Sequence, residues 1–342
     1  MKKIIIFILI TALMLLSCKN NSTNVDTSSD NNNSSNTGDN NNGNNAEDNN
    51  NGSTITQEEL DKYGIDINSA TKEIIEEAIK KYAQDHNGEN KVIFKGTCNQ
   101  TYDGMIKGLT LAGIINDIQL NDIIVSIECV TFKDNKIPNF IFGGDQNQNF
   151  NIVKITIPDT ITTIGKDSFF CINLTNINMP KGLITIGDGG FSRINMKTLE
   201  LPNTLKIIEA HAFSQSKLES IVIPDSVTSI GERAFEACRE LTKITLPNSI
   251  TTLESSIFAS CSALQSITIP ASVIEIKESA FYYSTGLESI IFLSTTPPTI
   301  GQSAFSGTVL KTIYVPKGSK EQYEKLKGQA GIPDSIEIIE QQ

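Results

Sequence analysis

Residues 218–238 read LESIVIPDSVTSIGERAFEAC, and close copies of this phrase recur through the C-terminal half of the chain. The proline after its apolar run returns at intervals of 22, 22, 22, 23, 23 and finally 46 residues, and a later phenylalanine keeps nearly the same spacing. A period held through seven copies predicts a solenoid, in which each repeat forms one coil packed against its neighbours. The recurring residues are Pro158, Pro180, Pro202, Pro224, Pro247, Pro270 and Pro316, and Phe169, Phe191, Phe213, Phe235, Phe258, Phe281 and Phe305.

Each repeat begins with an alternating pattern, L-x-x-I-x-I, seen in LESIVI and LTKITL. Alternation predicts a short strand, so Ile221 and Ile223 point to the core and the residue between them points outward. The proline ends the strand because it has no N–H to donate. A polar turn, an apolar pair such as Val227 and Ile230, and a turn carrying the phenylalanine complete the coil. One coil cannot bury these groups alone, so stacked coils bury them together and form a parallel sheet.

This phrase resembles the BspA-like leucine-rich repeat of bacterial surface proteins, whose pattern reads approximately L-x-x-I-x-I-P-x-S-V-x-x-I-G-x-x-A-F-x-x-C. The resemblance covers residues 151–316, and the tail YVPKGSKEQYEKLKG resembles the closing unit of the family. It implies a repeat solenoid of the leucine-rich-repeat type, β-rich, with a parallel sheet on one face and short strands, turns and helical segments on the other. It also implies a non-catalytic binding role at the cell surface, generally adhesion to host proteins, host cells or other bacteria. Fold alone does not name the ligand.

One repeat departs from the pattern. In the seventh, IIFLSTTPPTIG, Leu293 stands where the strand-ending proline belongs, and the prolines are displaced to Pro297 and Pro298. We expect this coil to be kinked or widened locally.

The N-terminus combines basic residues with a short apolar run. Lys2 and Lys3 precede 13 apolar-rich residues, which are too few for a membrane span of about 20. The run closes on LLSC, which resembles a bacterial lipobox, so we expect Cys18 to be lipidated. The alternative is an ordinary signal peptide with an incidental cysteine. The residue after it, Lys19, is not an aspartate, and with the resemblance this favours a lipid-anchored protein of the bacterial outer membrane or cell surface.

The remaining chain divides by composition. An Asn/Ser/Asp-rich tract has almost nothing to bury and should be disordered, forming a tether. The stretch TKEIIEEAIKKYAQ predicts a helix, KVIFKG and DIIVSIECV predict strands, and a further helix is expected around residues 103–116. Such units would form an α/β cap that covers the core of the first coil. The predicted segments are a signal peptide (1–17), a tether (18–53), an N-terminal cap (54–150), repeats (151–316) and a C-terminal cap (317–342).

Composition narrows the function classes. A net charge of −11 disfavours binding to nucleic acid. The chain has two histidines, in unrelated contexts, and no phosphate loop, zinc spacing or nucleophile elbow. We therefore predict no enzyme, no metal, no cofactor and no small-molecule substrate. His211 occupies a variable surface position of the repeat. Two alternatives remain: an enzyme whose site lies within residues 54–150, and a structural or assembly protein of the envelope that faces the periplasm.

The outward positions of the strands are the candidate binding residues, because solenoids usually bind through an extended sheet surface. The expected ligands are host extracellular-matrix or cell-surface proteins, or other bacteria. Strand propensity alone is the alternative explanation for threonine and valine here. The end with Ile291 and Tyr314 is favoured, since exposed apolar and aromatic groups mark contacts. The outer row is Thr156, Asn178, Glu200, Val222, Thr245, Thr268, Ile291 and Tyr314; a second row is Lys154, Asn176, Thr198, Ser220, Lys243, Ser266, Ser289 and Thr312.

Two cysteines occupy the same position in adjacent coils. Cys238 and Cys261 should lie about 4.8 Å apart, the spacing of neighbouring strands, which permits a disulfide. The favoured interpretation is a pair of buried free thiols that fill a small-residue position. With Cys18 lipidated, five cysteines remain, and an odd number cannot all pair within one chain.

Overall fold

A computed structural model describes residues 55–98, 100–102, 110–144 and 151–342. The predicted signal peptide, Cys18 and the tether lie outside these ranges, as does the first part of the helix expected around residues 103–116. Among the described residues no helix is long and apolar enough to cross a membrane. The α-helices of this part are α1 (Gln57–Tyr63), α2 (Lys72–Asp85), α3 (Leu111–Asn116) and α4 (Lys320–Glu324), and 3-10 turns span Ile67–Ser69 and Lys133–Asn135.

Parallel strands at the start of successive coils form the front of the solenoid, and we call their outward surface the sheet face. Neighbours pair in the orders β1-β2-β3-β5-β7, β9-β11-β13 and β15-β17-β19-β20. The strands are β1 (Gly64–Asp66), β2 (Lys91–Cys98), β3 (Ile123–Phe132), β5 (Ile152–Thr156), β7 (Asn176–Ile177), β9 (Thr198–Leu199), β11 (Ser220–Val222), β13 (Lys243–Thr245), β15 (Ser266–Ile269), β17 (Ser289–Phe292), β19 (Thr312–Val315) and β20 (Glu337–Glu340).

A second series of two-residue strands forms the back sheet. These strands pair in the orders β4-β6-β8-β10-β12 and β14-β16-β18, again all parallel. The register advances by one coil per strand in both sheets, as the sequence period predicts. The predicted leucine-rich-repeat solenoid is therefore confirmed. The strands are β4 (Lys136–Ile137), β6 (Thr163–Ile164), β8 (Thr185–Ile186), β10 (Ile207–Ile208), β12 (Ser229–Ile230), β14 (Thr252–Leu253), β16 (Glu275–Ile276) and β18 (Thr299–Ile300).

The N-terminal elements extend the same sheet. The helix predicted from TKEIIEEAIKKYAQ is α2, whose N-cap Thr71 accepts a hydrogen bond from the Ile74 backbone N–H at 3.3 Å. KVIFKG and DIIVSIECV lie in β2 and β3. β3 pairs in parallel with β5 across the segment boundary predicted at residue 151, and that boundary stays a prediction.

A column of stacked phenylalanine rings runs through the core. Each ring is fully buried, and neighbouring ring centroids lie between 5.1 and 5.8 Å apart. Near-parallel rings at this separation are offset stacks, which add an attraction beyond the burial of apolar area. The column joins Phe142, Phe169, Phe191, Phe213, Phe235, Phe258, Phe281 and Phe305.

The turns that carry these phenylalanines form a third ladder, which we call the turn ridge. The coil of Phe213 is an example. His211 lies two residues before the ring and has a φ angle of 54°, and Gln215 lies two residues after it and has a φ angle of 58°. The N–H groups of all three donate to carbonyls of the next coil at 2.7–3.0 Å. The left-handed backbone costs about 1–2 kcal/mol per residue, and the paired N–H groups offset that cost. The left-handed residues are Asp167, Gly189, His211, Arg233, Ser256, Ser279 and Ser303 before the ring, and Cys171, Arg193, Gln215, Ala237, Ser260, Tyr283 and Gly307 after it.

The irregular seventh coil is held by the C-terminal helix. The strands keep register, since Ile291 lies opposite both Thr268 and Tyr314. The step from Ile290 to Ile300 is one residue longer than that between their strand partners Ile267 and Ile276, so this coil holds one extra residue. The expected local kink or widening stays a prediction. The buried Tyr323 donates its hydroxyl to the carbonyls of Ser294 at 2.9 Å and of Thr296 at 3.3 Å. These bonds join the C-terminal helix to the irregular connection of this coil.

We predict that Phe213→Ala lowers the free energy of unfolding by about 3–5 kcal/mol, because it removes a fully buried ring and two stacking partners. Urea unfolding followed by circular dichroism measures this change. The control is Val222→Ala on the sheet face, where the side chain is 63% exposed and the loss should stay within about 0.5 kcal/mol. Equal losses in the two variants would contradict a stabilising column.

Candidate binding surface

Outer-row residues on paired strands are neighbours on the sheet face. Val222 lies opposite Thr245, and Thr268 lies opposite Ile291. Parallel pairing brings such neighbours to about 4.8 Å. Glu200, Val222, Thr245 and Thr268 are exposed, whereas Asn178, Ile291 and Tyr314 are half-buried.

Thr156 departs from the expectation and is buried, with an exposed fraction of 7%. Its side chain is covered in this structure, and its predicted role in binding stays a prediction. Thr156 lies opposite the fully buried Ser126 of β3, and Ser126 lies opposite Ile93 of β2. The row therefore continues into the N-terminal cap, where the sheet face is covered.

The cover over Ile93 is built by α1, the end of α2 and Ile55, which lies two residues before α1. Ile93 packs with Tyr63 and Tyr82, and the partly buried Ile55 and Leu60 pack against this cluster. Residues 55–63 thus occupy the sheet face over the first strands. The open part of the face begins further along the solenoid.

Hydrogen bonds and ring stacking join this cover to the rest of the N-terminal cap. The Ile55 backbone N–H donates to Glu128 Oε1 at 2.6 Å, and partial burial raises the pKa of the Glu128 carboxyl. The Tyr63 hydroxyl donates to Asp85 Oδ2 at 2.6 Å. Desolvation raises the pKa of Tyr82 to about 12, and its ring stacks on His86 with centroids 3.8 Å apart. His86 therefore contributes to packing.

Asn178 has a structural role in the sheet. Its Oδ1 accepts a hydrogen bond from the Ile157 N–H at 2.8 Å, and its Nδ2 donates to the Ile157 carbonyl at 2.9 Å. The side-chain amide thus continues the ladder between two coils by imitating a backbone peptide group. This role leaves Glu200 as the first outer-row residue whose side chain is exposed.

The C-terminal end of the outer row is apolar and one residue longer than the sequence indicates. Tyr314 lies opposite Ile291 on one side and opposite Ile339 of β20 on the other. We call Ile291, Tyr314 and Ile339 the apolar strip; all three are half-buried. Sequence analysis missed Ile339 because it ends the repeats at residue 316. The alternating SIEIIE at residues 335–340 is the signal that could have found it.

The second row lies beside the outer row in the expected register and is largely small and polar. Ser220, for example, lies opposite both Thr198 and Lys243. Ion pairs one coil apart accompany the strands, including Lys197 Nζ to Glu219 Oε1 at 2.6 Å. Exposed pairs of this kind contribute little to stability. The sheet face thus offers hydroxyl groups along its middle and apolar groups at its C-terminal end.

Cys238 and Cys261 are buried free thiols, which confirms the favoured interpretation. Cys238 Sγ donates to the Phe213 carbonyl and Cys261 Sγ to the Phe235 carbonyl, each at 3.1 Å. In the next coil the hydroxyl of Ser284 makes the equivalent bond to the Phe258 carbonyl at 2.6 Å. This position therefore takes a small hydrogen-bond donor that satisfies a buried carbonyl of the preceding coil.

We predict that iodoacetamide labels Cys238 and Cys261 far more slowly than the half-buried Cys129 in the native protein. Burial raises the pKa of Cys238 to about 11, so little reactive thiolate forms at pH 8. Mass spectrometry of timed digests gives the three rates, and labelling in urea serves as the control because all sites become accessible. Similar labelling rates for all three cysteines in the native protein would contradict the burial of Cys238 and Cys261.

His211 lies on the turn ridge, at a position that varies between coils, as predicted. Its Nδ1 is 3.4 Å from Asp188 Oδ1, and Asp188 also binds Lys166 Nζ at 2.8 Å. Lys166 and Asp188 thus form a partly exposed ion pair between adjacent coils, and His211 lies beside it. In the part of the chain that the structure describes, no group of three or more His, Cys, Asp or Glu side chains could hold a metal ion.

Stacked coils with a parallel strand ladder and a phenylalanine column define a leucine-rich-repeat solenoid. The chain belongs to the BspA type leucine rich repeat family, whose model matches six copies within residues 110–219 and 206–326. Leucine-rich-repeat proteins are generally non-catalytic and bind other proteins.

Solved structures of bacterial leucine-rich-repeat proteins are similar to this chain. A leucine-rich repeat protein from Bacteroides ovatus is 26% identical, with 64% of this chain and 71% of that chain covered and a TM-score of 0.40. One from Eubacterium ventriosum is 20% identical, with 68% of each chain covered and a TM-score of 0.46. A search of curated proteins finds no match.

Proposed function

We propose that this chain is a lipid-anchored cell-surface protein that binds proteins or cell surfaces through the open part of its sheet face. Its role in this proposal is adhesion to host proteins, host cells or other bacteria. The supporting observation is the outer row from Glu200 to Tyr314, whose side chains project from a hydrogen-bonded ladder. A preorganised ladder lowers the entropy cost of binding, because the contact residues are already in place.

The apolar strip supports the C-terminal end as the centre of contact. Strand propensity alone is satisfied by threonine, which stands at residues 245 and 268 of the same row. The strip instead carries isoleucine and tyrosine side chains that keep part of their surface in water. Aromatic residues that leave water on binding carry much of the energy of protein interfaces.

The position of the N-terminal cover fits an anchored protein. Ile55, the first described residue, is hydrogen-bonded to Glu128 on β3, whereas the apolar strip lies on β17, β19 and β20. The lipobox-like LLSC at residues 15–18 would attach the chain to a membrane, and it precedes this cover in the sequence.

We predict that the triple variant Val222→Thr, Ile291→Thr and Tyr314→Thr weakens ligand binding at least tenfold. Each change installs the residue that already stands at 245 and 268, so the strands should persist while the apolar contacts disappear. Binding of the purified full-length protein to a panel of extracellular-matrix proteins, epithelial cells and partner bacteria is measured by surface plasmon resonance or cell pull-down.

The matched control is the double variant Ile207→Thr and Ile274→Thr, two exposed isoleucines of the back-sheet side. Threonine occupies equivalent positions in neighbouring coils, at Thr185 and Thr251. The control should bind as the unchanged protein does. If the triple variant binds as strongly as the control, the site does not lie on the sheet face. If the unchanged protein binds no member of the panel, the result counts against the adhesive role.

Protease treatment of intact cells distinguishes the surface role from an envelope-assembly role in the periplasm. The proposal expects the protein to be removed by added protease while a periplasmic marker survives. Survival of the protein on intact cells, with digestion after lysis, would favour the periplasmic alternative.

A further inference from the structure

Two adjacent tyrosines stand out on the turn ridge of the later coils. Tyr282 is 41% exposed and Tyr283 is 55% exposed, and their ring centroids lie 4.5 Å apart at an interplanar angle of 69°. The coil before has Ala259 and Ser260 at the same two positions. The coil after has Ser306 and Gly307. The pair is therefore flanked by small residues on both sides.

The fold does not require either ring. The position of Tyr283 is left-handed in each of the seven coils from Phe169 to Phe305, and its φ of 56° is a conformation that a bulky side chain adopts only at a cost. The exposed ring recovers little of that cost through burial. Serine and alanine occupy the position in the two preceding coils, at Ser260 and Ala237, with the same backbone geometry. The tyrosine therefore serves something other than stability.

Gly307 leaves room for the Tyr283 ring. A β-carbon at residue 307 would stand only 3.2 Å from Tyr283 Cγ and 3.3 Å from Cδ2. The ring therefore lies against the glycine of the next turn, where a side chain would crowd it.

The turn ridge around the pair carries few charges. Residues 255–264, 279–287 and 301–310 contain no Asp, Glu, Lys, Arg or His, although Glu254, Lys277, Glu278 and Glu288 lie at the ends of these stretches. Counted from four residues before the phenylalanine to five after it, the coil of Phe235 carries five charged residues, whereas the next three coils carry one, two and none. In place of charges the later turns present hydroxyl and amide groups. These include Ser260, Ser262, Thr285, Gln302, Ser306 and Thr308, all at least partly exposed.

We propose that this part of the turn ridge is a second binding site, separate from the sheet face, and that its ligand is a neutral carbohydrate. The negative face of a tyrosine ring attracts the positively polarised C–H face of a sugar ring. The surrounding hydroxyl and amide groups pair with sugar hydroxyls, which act as both donors and acceptors.

A neutral glycan fits this surface better than a protein partner does. Protein interfaces are enriched in arginine and use complementary charges to steer and select partners. The three turns around the tyrosines offer few charges for such steering. A pair of exposed aromatic rings within a hydroxyl-rich surface of low charge matches a ligand that is itself uncharged and hydroxyl-rich.

Affinity electrophoresis of the full-length protein through gels containing soluble polysaccharides tests the proposal. The neutral probes are starch, mannan, galactan and xylan, and the charged probes are polygalacturonate and heparin. We expect at least one neutral probe to retard the protein and the charged probes to have no effect. The double variant Tyr282→Ala and Tyr283→Ser should bind that probe at least tenfold more weakly. Because these are the residues of the preceding coil, its unfolding midpoint should stay unchanged.

Two controls separate this site from the sheet face. The variant Ile274→Thr, on the back-sheet side, should retain full polysaccharide binding, as should the triple sheet-face variant. Retardation by no neutral probe, equal retardation of the tyrosine variant, or equal binding of the charged probes would overturn the proposal. Loss of binding to a protein of the adhesion panel in the tyrosine variant, without polysaccharide binding, would assign the pair to a protein contact instead.

Discussion

The contact between one coil and the next is the interaction on which the rest of the structure depends. Three hydrogen-bonded ladders and one column of rings join the coils: the turn ridge and the rings link each coil from Phe169 to Phe305 to the next, and the two strand ladders cross most of these contacts. The strands supply two of the ladders. The turn ridge supplies the third, in which left-handed residues on either side of the phenylalanine turn their N–H groups toward the following coil. A single coil could satisfy none of these groups, so stability arises only from stacking.

This constraint also explains which positions are free for function. Inward isoleucines, column phenylalanines and the small donors at Cys238 and Cys261 are committed to the contact between coils. Outward strand positions and the outer side of the turn ridge take no part in that contact. The covered N-terminal end of the sheet further confines the open positions to the later coils. The apolar strip and the tyrosine pair both lie in those coils.

The repeat made much of the fold predictable. The period, the strand pattern and the phenylalanines determine the register, because each residue type recurs with the same partner one coil away. The burial of Thr156 could not be predicted in this way. It depends on β3 and on a cover built from residues 55–63, which carry no repeat. The place of Ile339 in the outer row could not be predicted for a related reason, since β20 adds a strand after the last copy of the motif. The Asn178 side-chain amide bonds to Ile157 just beyond the last backbone pair of β5 and β7, and no sequence pattern shows where that pairing ends.

Hydrogen exchange of single backbone amides tests the coil-to-coil contact most directly. The account predicts that the amides of His211, Phe213 and Gln215 are as strongly protected as that of Ile221 in β11, because each N–H is bonded to the next coil. The exposed turn residues Asn203 and Thr204 should exchange quickly by comparison. Exchange of the three ridge amides at the rate of Asn203 and Thr204 would contradict the third ladder, and with it the stacking on which the binding surfaces rest.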